Sequence, residues 1–239
     1  MKLARSLCIL LCLLLAGWLP AQELEEIVKK HLEATGINKV KDLKSYTLSG
    51  KADMAGTSGP VKQIVDASGK IRMEVELNGQ KIIQVVSGQE GWMIMPLSGS
   101  REPRPLSPEQ VQSLQRQASL EGLLHQWKEK GRQVSLEGKE KVLNREMHRI
   151  KVLESGNQAL ISYLYIDTDD FLLRAQKDVS YMSGQEVISM TYFDHFRIFG
   201  GIQFPMRIES KLNGQTVMLI TTGKVEINPE LDQALFQKP

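Results

Sequence analysis

Ile71-Arg72-Met73-Glu74-Val75-Glu76-Leu77-Asn78-Gly79 is the stretch that decides how this chain folds. Apolar Ile71, Met73, Val75 and Leu77 alternate with charged Arg72, Glu74 and Glu76. A period of two places one set on each face of a β-strand. Asn78-Gly79 then supplies the two residues that most readily take positive φ in a tight hairpin turn. The chain returns as Lys81 to Ser87, turns again between Gly88 and Gly91, and runs on through Trp92, Met93, Ile94, Met95 and Pro96. The unit is an antiparallel meander with a broad, soft apolar face.

Strand signals dominate on both sides of it. Ser45 to Met54 and Val61 to Asp66 come before, punctuated by Gly56, Gly59 and Pro60. After a helical interlude, Gln133–Glu137, Met147–Leu153, Leu160–Ile166, Leu172–Tyr181, Glu186–Arg197, Phe204–Leu212 and Thr216–Val225 read as strands. Asn213-Gly214 is a second hairpin signal, and Asp167–Asp170 and Gly200-Gly201 mark further turns. A first helix is predicted over Glu23–Ala34, with Leu24, Ile27, Val28, His31 and Leu32 on one face and Gly36 as its stop. In the interlude, Ser107 caps, Pro108 suits the first helical position and Gln110 completes a capping box. Val111, Leu114 and Ala118 share one stripe, and Leu120, Leu123, Leu124 and Trp127 share another. Two short helices are therefore expected, broken near Ser119–Gly122. Leu231, Leu235 and Phe236 give the tail enough apolar surface to dock. The sum is a mainly β fold: one large curved antiparallel sheet of about eleven or twelve strands. Such a sheet either closes or needs a cover over its concave apolar side, and the mid-chain helices are the natural lid.

The first residues read as an export leader. Lys2 and Arg5 precede the apolar run Leu7–Leu15, and Pro20-Ala21 offers a cleavage point before Gln22, with Leu19 larger than ideal at the −3 place. Residues 1–21 are thus expected to be removed, leaving a single domain over 22–239. Cys8 and Cys12 are the chain's 2 cysteines, and both fall in the leader. Leu7 and Leu11 stand directly before them, where a lipidation signal needs a small residue, so the product is expected to be a soluble periplasmic protein and not a lipoprotein. Such a mature chain has no disulfide, thiolate metal site or cysteine nucleophile. Without Lys2 and Arg5, the chain's 30 basic residues drop to equality with its 28 acidic ones. That balance argues against nucleic acid as a partner.

Catalytic and metal signatures are missing. His31, His125, His148 and His195 are scattered, with no close pair. Asp167, Asp169 and Asp170 resemble the start of a calcium loop, but Phe171 and Leu172 stand where ligands should follow, so a hairpin turn is expected instead. There is no G-x-S-x-G and no phosphate or dinucleotide glycine loop. The reading is a non-enzyme with no cofactor. Met54, Met73, Met93, Met95, Met147, Met182, Met190, Met206 and Met218 all fall in or beside predicted strands. Methionine as a filler of core gaps accounts for that on periodicity alone. A deformable cavity for flexible acyl chains is the second reading, since each buried methylene is worth about 0.8 kcal/mol.

The chain resembles the LolA-like family of periplasmic lipoprotein carriers, in its outer-membrane lipoprotein-sorting branch. The matching stretches are Leu24 to Gly36, Ile71 to Leu77, Ser87-Gly88 through Gly91-Trp92 to Met95-Pro96, and Val225 to Pro239, together with the order helix, strands, helical insert, strands. The resemblance implies an open, incomplete antiparallel β-barrel closed by a helical lid around an apolar cavity. It implies acyl chains of lipoproteins or lipids as ligand, an inner-membrane releasing complex and an outer-membrane acceptor as partners, and a monomer. Family cavity positions match Ile71 and Met73, and the Trp-containing strand matches at Trp92 to Met95. With these go Val75, Trp92, Ile94 and Met95 on the sheet, and Leu114, Leu123 and Leu124 on the lid. The family's lid-latching arginine, in an arginine–proline turn, is replaced here by Ser68-Gly69-Lys70, which leaves Lys70 and Arg72 as latch candidates. A lipid or lipoprotein sensor, or a scaffold in envelope signalling, is a second reading of the same fold, and an envelope hydrolase a third.

Overall fold

A computed structural model describes residues 19–96, 99–154, 157–182 and 185–239. Thirteen strands form one antiparallel sheet in the order β6-β5-β4-β3-β2-β1-β13-β12-β11-β10-β9-β8-β7. The chain starts this sheet in its middle. β1 (Ser45–Met54), β2 (Thr57–Asp66), β3 (Ile71–Leu77), β4 (Gln80–Ser87), β5 (Glu90–Met95) and β6 (Ser100–Pro105) step outward to one edge. The chain then crosses to the far edge. β7 (Gln133–Val142), β8 (Arg145–Glu154), β9 (Asn157–Asp167), β10 (Leu173–Met182), β11 (Gln185–Phe199), β12 (Ile202–Leu212) and β13 (Gln215–Ile227) step back until β13 pairs with β1. Both edge strands, β6 and β7, lack an outer partner, so the barrel is open. Every step is a hairpin. Asn78 and Gly79 take φ of 52° and 72°, and Asn213 and Gly214 take 46° and 85°, as the two asparagine–glycine signals require.

The strand missing from the sequence reading is β6. It carries Pro103 and Pro105, which normally argue against a strand. At an edge, a proline's missing N–H removes no ladder bond, and only one side of β6 is paired.

Two α-helices lie among the described residues. α1 (Leu19–Thr35) begins a turn earlier than Glu23. The expected leader falls outside the described residues except for its last three, which open α1. Gly36 ends the helix at φ 73°, and a Cβ there would stand 2.0 Å from the Gly201 carbonyl oxygen, so glycine alone fits the approach. α2 (Pro108–Ala118) starts on the expected capping box: the Gln110 amide donates to Ser107 Oγ at 3.3 Å, and the Ser107 amide donates to Gln110 Oε1 at 2.9 Å. The second mid-chain helix does not form. Residues 120–131 are consecutive turns, with Gly122 at φ 64° and Gln126 at φ 50° breaking the helical path.

The apolar interior divides between the two helices. α1 buries Leu24, Ile27 and Val28 against Ile150, Val152, Leu164 and Ile166 of β8 and β9, with Leu123 and Leu124 wedged in. α2 buries Val111, Leu114 and Ala118 against Tyr46, Val65, Ile71, Val86 and Phe204. On the opposite, convex side, the C-terminal tail lays Phe236 over Ile64, Val85 and Trp92.

Candidate functional site

Beneath α1 the described side chains of the concave face gather into a core, and beside α2 the face is hollow. A cleft of 240 Å³ opens there, walled on the sheet side by Met54, Met73, Val75, Ile82, Gln84, Met95 and Met218. Gln110, Ser113, Leu114 and Gln117 of α2 form its other wall. Strand register makes this lining. Val75 faces Ile82 on β4 and Val61 on β2, which puts these odd-numbered β3 residues and their partners on one side of the sheet. The methionines divide between two settings. Met54, Met73, Met95 and Met218 line the cleft, whereas Met147 and Met206 are buried in core clusters.

Of the residues expected at a cavity, the structure brings Met73, Val75, Met95 and Leu114 together around the cleft. Ile71 lies on the same face but is closed into the core under α2. Trp92 and Ile94 do not line the cleft. They pair with Val85 and Ile83, whose side chains face the convex side, and both pack in the cluster around the tail's Phe236. The inward positions of β5 are Gly91, Met93 and Met95. Leu123 and Leu124 belong to the filled core beside α1 and have no share in the cleft.

The latch candidates hold something else. Arg72 is an even-numbered residue of β3 and so points to the convex side. Its Nη1 donates to the Leu235 carbonyl at 2.7 Å and its Nε to Glu74 Oε1 at 2.6 Å. Lys70 Nζ donates to Gln233 Oε1 at 2.7 Å and lies 5.8 Å from the Phe236 ring centre. Both strap down the C-terminal tail, on the other side of the sheet from α2.

Other residues tie α2 to the sheet. The Tyr46 hydroxyl donates to the carbonyl of Ala118, the last residue of the helix. Tyr46 is buried, which pushes its phenol well above the usual range and keeps it a donor. Gln115 Nε2 donates to the Gly88 carbonyl at 2.8 Å, in the β4–β5 turn. Arg116 and Arg132 each stand 3.5 Å from Glu154 at the end of β8, and Arg132 Nη1 also donates to the Leu123 carbonyl at 2.9 Å. Gly91 lets the helix come close, because a Cβ there would meet Leu106 Cδ1 at 2.8 Å and Val111 Cγ2 at 3.2 Å. Tyr46 was legible as an inward residue from the alternation of Ser45–Met54. Nothing local to Glu154 announces its partners.

Asp167 and His31 serve the fold. Asp167–Asp170 forms the expected β9–β10 turn, where Asp167 Oδ1 accepts from the Asp169 amide at 2.9 Å and Oδ2 meets Arg145 Nε at 2.5 Å. His31 Nδ1 donates to the Phe171 carbonyl at 2.8 Å, and burial holds its pKa below the ordinary histidine value. Among the described residues, no group of three or more acidic, histidine or cysteine side chains is placed to hold a metal ion. Nor is any helix among them long and apolar enough to cross a membrane.

No family model and no curated protein matches the chain. Solved structures do. A DUF1329 family protein from Desulfovibrio piger superposes with a TM-score of 0.58 at 13% identity, over 87% of this chain and 96% of its own. A putative outer membrane lipoprotein-sorting protein domain from Vibrio parahaemolyticus gives 0.57 at 9%, over 88% and 97%. A LolA superfamily protein from Nitrosomonas europaea gives 0.55 at 15%, over 90% and 97%. The fold is LolA-like. At these identities the likeness concerns architecture, and the LolA-like sheet of this chain is the incomplete barrel expected from its sequence.

Proposed function

We propose that this chain is an exported carrier that shields an acyl chain of a lipoprotein or lipid in the methionine cleft. The observation that carries the reading is the cleft itself: four methionines from β1, β3, β5 and β13 on the concave face of an open LolA-like sheet, under a helix held by a few polar tethers. Methionine adapts to a chain without imposing one pose, which suits a ligand that must be released. A methylene occupies roughly the 30 Å³ share of a water, so 240 Å³ takes about eight. At about 0.8 kcal/mol each, that is about 6 kcal/mol gross, before the cost of association is subtracted. The chain binds and hands on, and does no chemistry. Residues 1–21 direct export and are removed, and 22–239 work in the periplasm as one domain between a donor and an acceptor membrane.

Titration of the mature chain with a fluorescent acyl probe tests this. Met73→Glu places a carboxylate among the apolar lining and is expected to weaken binding at least tenfold, with the melting temperature showing the fold intact. Wild-type affinity in a folded Met73→Glu protein overturns the assignment of the cleft. Native mass spectrometry of gently purified protein then identifies the cargo by its mass.

A further inference from the structure

The cleft does not end in apolar surface. Followed across the concave face, Met218 of β13 pairs with Ser210 of β12, Ser210 with Thr191 of β11, and Thr191 with Gln176 of β10. In the adjoining row Asp178 of β10 pairs with Ser162 of β9. Within one strand of the methionine lining, the same face therefore turns polar and stays so across three strands. This strip holds two hydrogen-bonded groups. Ser162 Oγ donates to Asp178 Oδ1 at 2.6 Å, and Gln176 Nε2 reaches both carboxylate oxygens at 3.0 Å. Thr191 Oγ1 and Ser210 Oγ lie 3.4 Å apart. Ser162 is 2% exposed and Asp178 is half-buried. Among the described residues no lysine, arginine or histidine makes an ion pair with Asp178, although most half-buried carboxylates of this sheet have one, as Glu74 has Arg72 and Glu154 has Arg116.

A half-buried carboxylate with neutral donors alone is a charge without a counter-charge among the described residues. A carboxylate accepts about four hydrogen bonds, and Ser162 and Gln176 leave capacity for another donor. Core packing gives no reason for it, since Val152 and Leu164, its neighbours on that face, are ordinary apolar core. From β13 to β10 is three strand spacings, about 14 Å. An acyl chain of roughly 15 Å, the depth of one leaflet's hydrocarbon, therefore reaches from the strip to the near rim of the cleft at Met218.

We propose that this polar strip is the headgroup subsite of the carrier, and that the cargo is an amphiphile whose headgroup offers hydrogen-bond donors, ammonium or hydroxyl, to Asp178 while its chain lies in the methionine cleft. The inference rests on the carrier reading and adds the chemistry of the headgroup. The mature chain is titrated with lipids of identical acyl chains that differ in the headgroup: phosphatidylethanolamine with its ammonium, phosphatidylglycerol with its hydroxyls, and phosphatidylcholine with no donor. An alkyl probe without a headgroup is run beside them. The donor-bearing lipids are expected to bind about tenfold more tightly than phosphatidylcholine. Tightening by phosphatidylethanolamine alone assigns an ammonium, by phosphatidylglycerol alone a hydroxyl, and by both hydrogen-bond donation of either kind. Asp178→Asn keeps the shape and the Ser162 contact and is expected to cut the preference to within threefold, with alkyl-probe affinity unchanged. Thr191→Val serves as a second variant should Asp178→Asn melt early. Equal affinity for all three headgroups, or a preference that survives in both variants, overturns the subsite while alkyl binding leaves the cleft standing. Failure of the alkyl probe itself overturns the carrier reading and the subsite together.

Discussion

Removing one oxygen atom should loosen α2 without unfolding the sheet. Tyr46 is 4% exposed, and its hydroxyl donates to the carbonyl of Ala118, itself 3% exposed. That carbonyl is among the last of the helix and so has no intrahelical partner. Tyr46→Phe keeps the ring and its edge contact with Phe204, whose centroid lies 5.8 Å away. The loss is then the hydrogen bond alone, and the Ala118 carbonyl is left buried and unpaired. Such a group costs about 1–3 kcal/mol. The cost is absent from any state in which α2 has lifted, because water then reaches the carbonyl. The opening equilibrium of the helix therefore shifts by the whole amount, roughly 5- to 140-fold. Hydrogen exchange reads this directly: amides of the last turn of α2 should exchange faster by that factor, while those of β8 and β9, under α1, change little. Unchanged protection in α2 beside a uniform loss across the sheet would refute the reasoning, since it would make Tyr46 a global core residue and not a tether.

Truncation after Glu230 removes Leu231, Leu235 and Phe236 from the convex face and should uncover Trp92, now 8% exposed; its emission should shift to the red and its quenching by acrylamide rise, with acyl-probe affinity within twofold of wild type. Leu124→Ala empties a site that is 1% exposed beside α1 and should cost about 2–5 kcal/mol, read as a lower melting temperature, again without loss of probe binding by the folded protein. His31 is buried with its pKa lowered by desolvation, so below the ordinary histidine value near ~6.5 the unfolded chain takes up a proton that the folded chain resists. Stability from this group is therefore complete above that pH and falls as pH drops toward the lowered folded value. His148 acts in the same sense, lowered first by burial and then by Lys139. Urea midpoints from pH 7.5 to 5 should fall less steeply for His31→Gln than for wild type, and parallel slopes would remove His31 from the acid response.

The sequence made the hairpins and the capped helix legible because their chemistry is local. Asn78-Gly79 and Asn213-Gly214 need positive φ at two residues, and Ser107 and Gln110 satisfy each other's backbone within one turn. Faces were legible where the two sides of a strand differ. Ile71, Met73 and Val75 alternate with charges, and all three point inward. Trp92-Met93-Ile94-Met95 has no such contrast. Both its faces are apolar because both are covered, one by α2 and the other by a tail some 140 residues later. Its parity was set by register with β4, which no local pattern states. The leucine stripe at 120–127 misled for a related reason. Burial of Leu123 and Leu124 under α1 follows from their apolar character, and consecutive turns satisfy it as well as a helix does. Gly122 hinted at the break, whereas the positive φ of Gln126 has no sequence signature. The latch was misread because the basic residues near the β2–β3 turn were matched to a role before their side of the sheet was known.

The uneven filling of the concave face bears on how a longer chain would be held. About eight methylenes fill the cleft as it stands, fewer than a full-length acyl chain carries. Extra room must come from moving an element that covers the face. α1 is keyed in by three buried side chains, by Leu123 and Leu124, and by the close contact of Gly36 with Gly201. α2 rests on Val111, Leu114 and Ala118, of which one is only an alanine, and on the tethers from Tyr46, Gln115 and Arg116. Lifting α2 exposes less apolar area, and its polar tethers regain water as they part. Loss of Leu114 from the core would be offset by contact with the ligand that displaced it, since the same side chain already lines the cleft. On the proposed carrier reading, the helix that yields to a long chain is therefore α2, whose last turn is held by the Arg116–Glu154 pair.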